Sequence, residues 1–288
     1  MTRVPAVKFA ITLGTLNIAR WDEVTVEADR LGFESVWLPE HLVLPVQMAG
    51  SPFAESDHPP VPPDVPIMDP FSYLAWLAAL TQQIRLGTYV YNIGLRHPFT
   101  TARAAATVDI VSKGRLLLGV GASWLRGEWE VTGLDFDSRG PRVDETVGIC
   151  RRLWTEPVVE HQGRFFQFGP VAFEPKPVQA GGPAIHIGGD SPVAIRRVAR
   201  LGAGWLPMNY SATTLASVMP LLVEECRRIG REELPEVTVG GSIDSREDIE
   251  AAQSAGATRV IVRPWRRSAE AVDGLRRFRD QFDEYFAS

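Results

Sequence analysis

Eight times along this chain a short apolar run gives way to a longer stretch with apolar residues at helical spacing. The runs cover residues 7–13, 35–38, 85–92, 115–120, 184–187, 205–206, 237–240 and 259–262. The helix-like stretches that follow cover 21–31, 70–82, 98–112, 141–154, 192–201, 212–229, 246–255 and 269–286. A short, wholly apolar run such as Leu116-Leu-Leu118 suits a strand covered on both faces, which is the condition of a parallel sheet. Eight such strands, each followed by a helix, satisfy the right-handed crossover rule and the usual length of about 250 residues for a (β/α)8 TIM barrel. At 288 residues, with no shift in composition along the chain, residues 1–288 form a single domain, an α/β barrel with insertions. A doubly wound sheet with an appended domain is the second choice.

Two segments stand outside the rhythm. Residues 39–68 hold eight prolines and no periodicity, so they form a long irregular loop, of the kind that usually serves function. Residues 158–168, broken at Gln162-Gly163, read as an inserted β-hairpin. Asp69-Pro70 and Ser191-Pro192 are helix starts, an N-cap followed by proline at the first helical position. Gly87 inside the third run suggests a bulge.

Several function classes have no support. Net charge is −5, which argues against nucleic acid and against an anionic membrane surface. The most apolar helix-like stretch, 71–80, is half the ~20 residues that a membrane span requires. Cys150 and Cys226 lie far apart in helix-like sequence and read as reduced, buried thiols. A cytoplasmic protein is expected, since no secretory pattern opens the chain. HExxH, paired CxxC, GxSxG and Walker patterns are all missing, and no metal-ligand spacing is present, so no metal site is expected.

In a barrel the chemistry gathers where strands end and helices have yet to begin. The fourth run ends in Gly119-Val-Gly-Ala-Ser-Trp124, where glycines allow close approach of a cofactor or a tight packing turn. The second ends in Glu40-His41. There a carboxylate orients an imidazole for proton transfer, or the pair is only a surface turn. The fifth ends in Gly188-Gly-Asp-Ser-Pro192, a helix start with open N–H groups that suits a phosphate, or simply a well-capped helix. Asp190 must then point away from the anion. His97 before Pro98 reads as the residue that begins a helix.

These strand ends, in this order, resemble the bacterial luciferase-like monooxygenase superfamily, and within it the branch that uses deazaflavin (coenzyme F420). The resemblance rests on Gly32-Phe-Glu-Ser-Val-Trp37 with Glu40-His41, on Ile84-Arg-Leu-Gly-Thr88, and on His97-Pro98. It rests above all on Asp109-Ile-Val-Ser-Lys-Gly-Arg-Leu-Leu-Leu-Gly-Val-Gly-Ala-Ser-Trp124, continuing through Glu128, Gly133, Arg139-Gly140 and Glu145. Gly163-Arg-Phe-Phe166, Pro175-Lys-Pro177 and Gly188-Gly-Asp-Ser191 extend it, so that residues 7–207 are covered.

The resemblance implies a (β/α)8 barrel, usually dimeric, with the flavin or deazaflavin ring over the barrel mouth. It implies a cis peptide at Tyr89–Val90 behind the ring. Gly121, Ala122 and Ser123, and the turn Gly188, Gly189, Asp190 and Ser191, would contact phosphate and ribityl groups. His41, oriented by Glu40, corresponds to a catalytic histidine. The deazaflavin tail carries extra negative charge, for which Arg263, Arg266 and Arg267, with Arg126, are sources of positive potential.

Two departures bear on the substrate. Trp124 stands where the sugar-phosphate dehydrogenases of that branch carry an acidic residue. Val43, Leu44 and Pro45 stand where they carry a tryptophan. A more apolar small organic substrate follows. The expected function is therefore a deazaflavin-dependent oxidoreductase that transfers hydride. The alternatives are an FMN-dependent monooxygenase, a coenzyme-binding barrel without turnover, and a lyase or isomerase acting on a sugar phosphate.

Overall fold

The computed structural model describes residues 7–53, 56–211 and 214–286. In chain order the strands are β1 Lys8–Thr12, β2 Ser35–Leu38, β3 Arg85–Thr88, β4 Leu116–Val120, β5 Val159–Gln162, β6 Gln167–Val171, β7 Ala184–Gly188, β8 Gly204–Leu206, β9 Glu236–Gly240 and β10 Arg259–Val262. The helices are α1 Trp21–Leu31, α2 Pro70–Leu80, α3 Pro98–Val111, α4 Arg126–Val131, α5 Arg139–Thr155, α6 Pro192–Leu201, α7 Met219–Arg228, α8 Arg246–Ser254 and α9 Ala271–Gln281. Eight strands close into a parallel barrel in the order β1-β10-β9-β8-β7-β4-β3-β2, and β5 and β6 form a separate antiparallel pair. The barrel and the hairpin expected from sequence are both present.

Local sequence explains most element ends. Asp69 accepts from Ser72 N at 2.8 Å and Ser191 from Ala194 N at 3.2 Å, each cap followed by proline at the first helical position. Gly32 closes α1 in the left-handed conformation, φ +82°. The hairpin is pinned to α5 by Glu145, whose carboxyl accepts from the amides of Arg164, Phe165 and Phe166 and lies 3.1 Å from His161 Nε2. No helix or strand interrupts the described part of residues 39–68.

Four expectations are corrected. β3 stops at Thr88 rather than at residue 92: the Tyr89–Val90 peptide is cis, and Tyr91 forms only an isolated bridge to Val120. Gly87 makes no bulge, since it pairs in register with Trp37. A methyl group there would lie 2.4 Å from the Trp37 indole, so the glycine makes room for that ring. A short helix, α4, lies between β4 and α5, where no element was expected. The helix expected over 212–229 is α-helical only from Met219, behind a single 3-10 turn at Leu215–Ser217, and its expected start lies outside the described residues.

The barrel lumen is layered. Ala10, Trp37, Leu117, Leu206 and Ile261 pack together beneath the mouth. At the opposite end, where the strands begin, Arg259 is fully buried and forks onto Glu34 at 2.6 and 2.7 Å, with Glu236 at 3.1 Å. Lys8 joins Glu236 at 2.5 Å. His186 sits between the layers, edge-on to Trp37, with neither ring nitrogen hydrogen-bonded. The larger apolar core fills the space between strands and helices.

Candidate active site

The turn after β2 is set by Pro39, whose ring packs on Gly14. It delivers Glu40 and His41 to the mouth, but the two side chains part there. Glu40 is buried and accepts from Arg96 Nη2 at 2.5 Å and from Asn92 N at 2.7 Å. Burial pushes its carboxyl up, against the opposing pull of Arg96 and the Asn92 amide. His41 instead directs Nδ1 to Glu128 Oε2 at 3.1 Å. The expected Glu40–His41 pair is thus replaced by Glu128–His41, because Arg96 and Asn92 claim the neighbouring carboxyl.

Glu128, on α4, is completely buried. Besides His41 it accepts from Leu42 N at 2.6 Å, Ser123 Oγ at 3.1 Å and Asn92 Nδ2 at 3.2 Å. Three donors besides the imidazole, the Leu42 amide, the Ser123 hydroxyl and the Asn92 side chain, fix this carboxyl as an acceptor. Nδ1 of His41 then carries the hydrogen, and Nε2 is left to exchange a proton with something else. Trp124 meets the imidazole edge-on at 5.8 Å between ring centroids, so the ring is held from a second side. Asn92 joins the two carboxyls, with its backbone N–H on Glu40 and its amide on Glu128. Sequence reading missed Glu128, Asn92 and Arg96 as members of this network. Glu128 was noticed only as part of a motif, and its separation of 87 residues from His41 hid the contact.

Tyr89 and Val90 lie on the lumen side of the mouth. Val90 is clasped by two glycines: a methyl on Gly121 would lie 2.5 Å from it, and one on Gly188 would lie 3.0 Å away. A side chain at either position would press on Val90, most severely at Gly121, so the two glycines make room for the 89–90 turn. Burial, with Asp190 nearby, pushes the Tyr89 phenol up to about 12, so it remains a donor at neutral pH.

Ser123 has φ +62° and commits its hydroxyl to Glu128 and to Leu125 N, so any ligand contact it makes is through backbone. Gly189 has φ +115° and accepts from Trp205 Nε1 at 2.9 Å. Asp190 turns away from the α6 start and accepts from Met208 N and Asn209 N, each at 2.9 Å. The start of α6 is therefore free of the carboxylate that would repel an anion.

Residues 39–53 border the mouth. They leave from β2, pass α4 with Pro45 where a methyl on Gly127 would lie 3.1 Å from its ring, and reach Asn209, whose side chain donates to Pro52 O at 3.1 Å. Asn209 follows β8, four places from β2 in the ring of eight, which is directly opposite. Among the arginines expected to supply positive potential, Arg126 pairs with Asp137 at 2.9 Å and Arg267 with Glu270 at 2.6 Å. Arg263 and Arg266 have no such partner and line a cavity beyond β10.

A model of the luciferase-like monooxygenase family matches residues 5–285. The chain belongs to that family. An uncharacterized protein of Mycobacterium tuberculosis is 30% identical over 211 residues, 73% of this chain and 74% of its own length. The oxygenase component of a flavin-dependent trigonelline monooxygenase from Acinetobacter baylyi is 28% identical across 78% of this chain and 59% of its own. An F420-dependent secondary alcohol dehydrogenase, solved with an F420–acetone adduct, superposes with a TM-score of 0.76 at 15% identity. That match covers 97% of this chain and 99% of the dehydrogenase. Among the described residues no helix is long and apolar enough to cross a membrane, and no group of three or more His, Cys, Asp or Glu is placed to hold a metal ion.

Proposed function

We propose that this chain is an oxidoreductase which holds a deazaflavin at the barrel mouth and exchanges hydride with a small organic substrate. The observation that carries the reading is His41. Its Nδ1 is fixed on a four-donor carboxyl, its ring is flanked by Trp124, and Nε2 remains for the substrate. The bound coenzyme would supply hydride chemistry. The residues present suit such a group. Val90, backed by Gly121 and Gly188, offers a small apolar surface for a flat ring, and the turn into α6 at Gly189 to Ser191, clear of the Asp190 carboxylate, suits a phosphate.

In this reading the protein moves one proton. His41 Nε2 gives it to a substrate oxygen being reduced, or takes it from a hydroxyl being oxidised, and Glu128 steadies the imidazole in either direction. Glu40 and Arg96 act at one remove, by holding Asn92 against Glu128. Gly121, Ala122 and Ser123 position the coenzyme through backbone, and Arg263 receives part of its anionic tail. A homodimer is part of the proposal, carried by family resemblance alone.

The second reading, an FMN-dependent monooxygenase, draws on the likeness to the trigonelline enzyme. Titration of the protein with reduced and oxidised forms of both coenzymes, followed by fluorescence, decides between them. Tighter binding of FMN at low salt refutes the deazaflavin choice. His41→Ala is expected to lower turnover about 10²–10⁴-fold while coenzyme affinity changes little. Equal losses in both would make His41 a binding residue.

A further inference from the structure

Nearly every guanidinium in this protein is matched to a carboxyl or a carbonyl. Among the described residues four make neither hydrogen bond nor ion pair: Arg164, Arg263, Arg266 and Arg277. Arg164 lies over the Phe165 ring. The other three line one cavity of about 400 Å³ between the loop after β9, the loop after β10 and the exposed face of α9. Three unmatched positive charges around one space repel each other, and an anion between them would relieve that repulsion.

The acidic residues on the lining do not neutralise these arginines. Glu270 is held by Arg267 at 2.6 Å, and Asp244 is exposed, with only its backbone groups bonded, to Asp248 and Gln281. The wall of the same space includes Trp265, 5% exposed, whose ring reports on what enters it.

We propose that this cavity binds a multivalent phosphate or carboxylate anion, gripped by Arg263, Arg266 and Arg277, with Trp265 in the wall beside it. Planar guanidinium forks suit both kinds of oxyanion. The anion has two possible sources of one chemistry: the carboxylate tail of the coenzyme, which rests on the function proposed above, and a free phosphorylated metabolite, which does not.

The test is titration of the intact protein with inorganic pyrophosphate at low salt, read by calorimetry and by tryptophan fluorescence. Saturable binding is expected, with a fluorescence change that Trp265→Phe removes. Arg277→Glu, an exposed substitution, should weaken binding at least tenfold at an unchanged melting temperature, and Asp244→Asn should tighten it two- to threefold. Absence of saturable binding, or equal affinity in wild type and Arg277→Glu, overturns the proposal. A deazaflavin carrying its glutamate tail is then added, beside one lacking it. Displacement of pyrophosphate by the tailed form alone supports the tail as the source, and no displacement by either supports the free phosphate. A protein that binds pyrophosphate but no deazaflavin would refute the proposed function and leave this site standing.

Discussion

Acid should weaken this fold through His186, and the size of the effect follows from where the ring sits. His186 is fully buried inside the barrel, and its nitrogens make no hydrogen bond. Burial, reinforced by Arg259, pushes its pKa down to about 3. Glu236, 3.7 Å from Nε2, pulls the other way, but that carboxyl is shared with Arg259 and Lys8 and does not prevail. Arg85 and Glu34, the remaining charged neighbours, oppose one another.

The unfolded histidine takes up a proton below pH ~6.5, whereas the folded one does so only near 3. Stability is therefore complete above the unfolded value and falls as pH drops through the window between them. Between pH 7 and 5 the loss amounts to about 2 kcal/mol. His186→Phe keeps a flat aromatic ring, somewhat larger, and breaks no hydrogen bond, so it should remove this dependence while other titrations cancel in the comparison. Urea unfolding of both proteins at pH 7, 6 and 5 measures it. Parallel pH profiles would show that His186 does not carry the effect. A wild type that gains stability on acidification, relative to the variant, would show that Glu236 wins the proton after all.

Other predictions concern the mouth. Glu128→Gln leaves at least one of four converging donors facing an NH2 group, and should cost about 2–3 kcal/mol of stability by chemical denaturation and lower kcat more than it raises KM. Gly87→Ala forces a methyl into the Trp37 ring and should cost at least about 1–3 kcal/mol, an effect absent if the strands can part there. Asn209→Ala removes the tie to Pro52 and should speed limited proteolysis within residues 42–53, with cleavage elsewhere unchanged. Below pH ~4.5 a further loss of stability is expected from Glu236. Burial would raise its carboxyl, but Arg259 and Lys8 outweigh that and hold it near 2. Glu236→Gln should flatten that limb of the profile.

The parts of this molecule that were legible in sequence are those written locally. Asp69-Pro70 and Ser191-Pro192 name helix starts because a cap and its N–H partners lie within three residues of each other. The strand ends at Gly121 and Gly188 were marked by glycine, although the reason for both, Val90, lies in the turn after β3. Glu128 and His41 could not be paired from sequence, because a closer carboxyl, Glu40, competed for the role. Only folding showed that Arg96 and Asn92 had taken it. The same limit hid Arg277, which joins Arg263 only once α9 packs beside the loop after β10. Gly87 was misread because a glycine in a strand marks both bulges and close approaches, and what decides is the ring on the neighbouring strand.

The tie between Asn209 and Pro52 has one more consequence. The same side-chain amide donates to Asp190 Oδ2 at 2.6 Å, and Asp190 stands just before the cap of α6. One asparagine thus links the long segment that leaves β2 to the turn that opens α6. A displacement of residues 42–53 is passed on to Asp190, and a change at the α6 start is felt by the long segment. The two borders of the site yield together rather than one at a time.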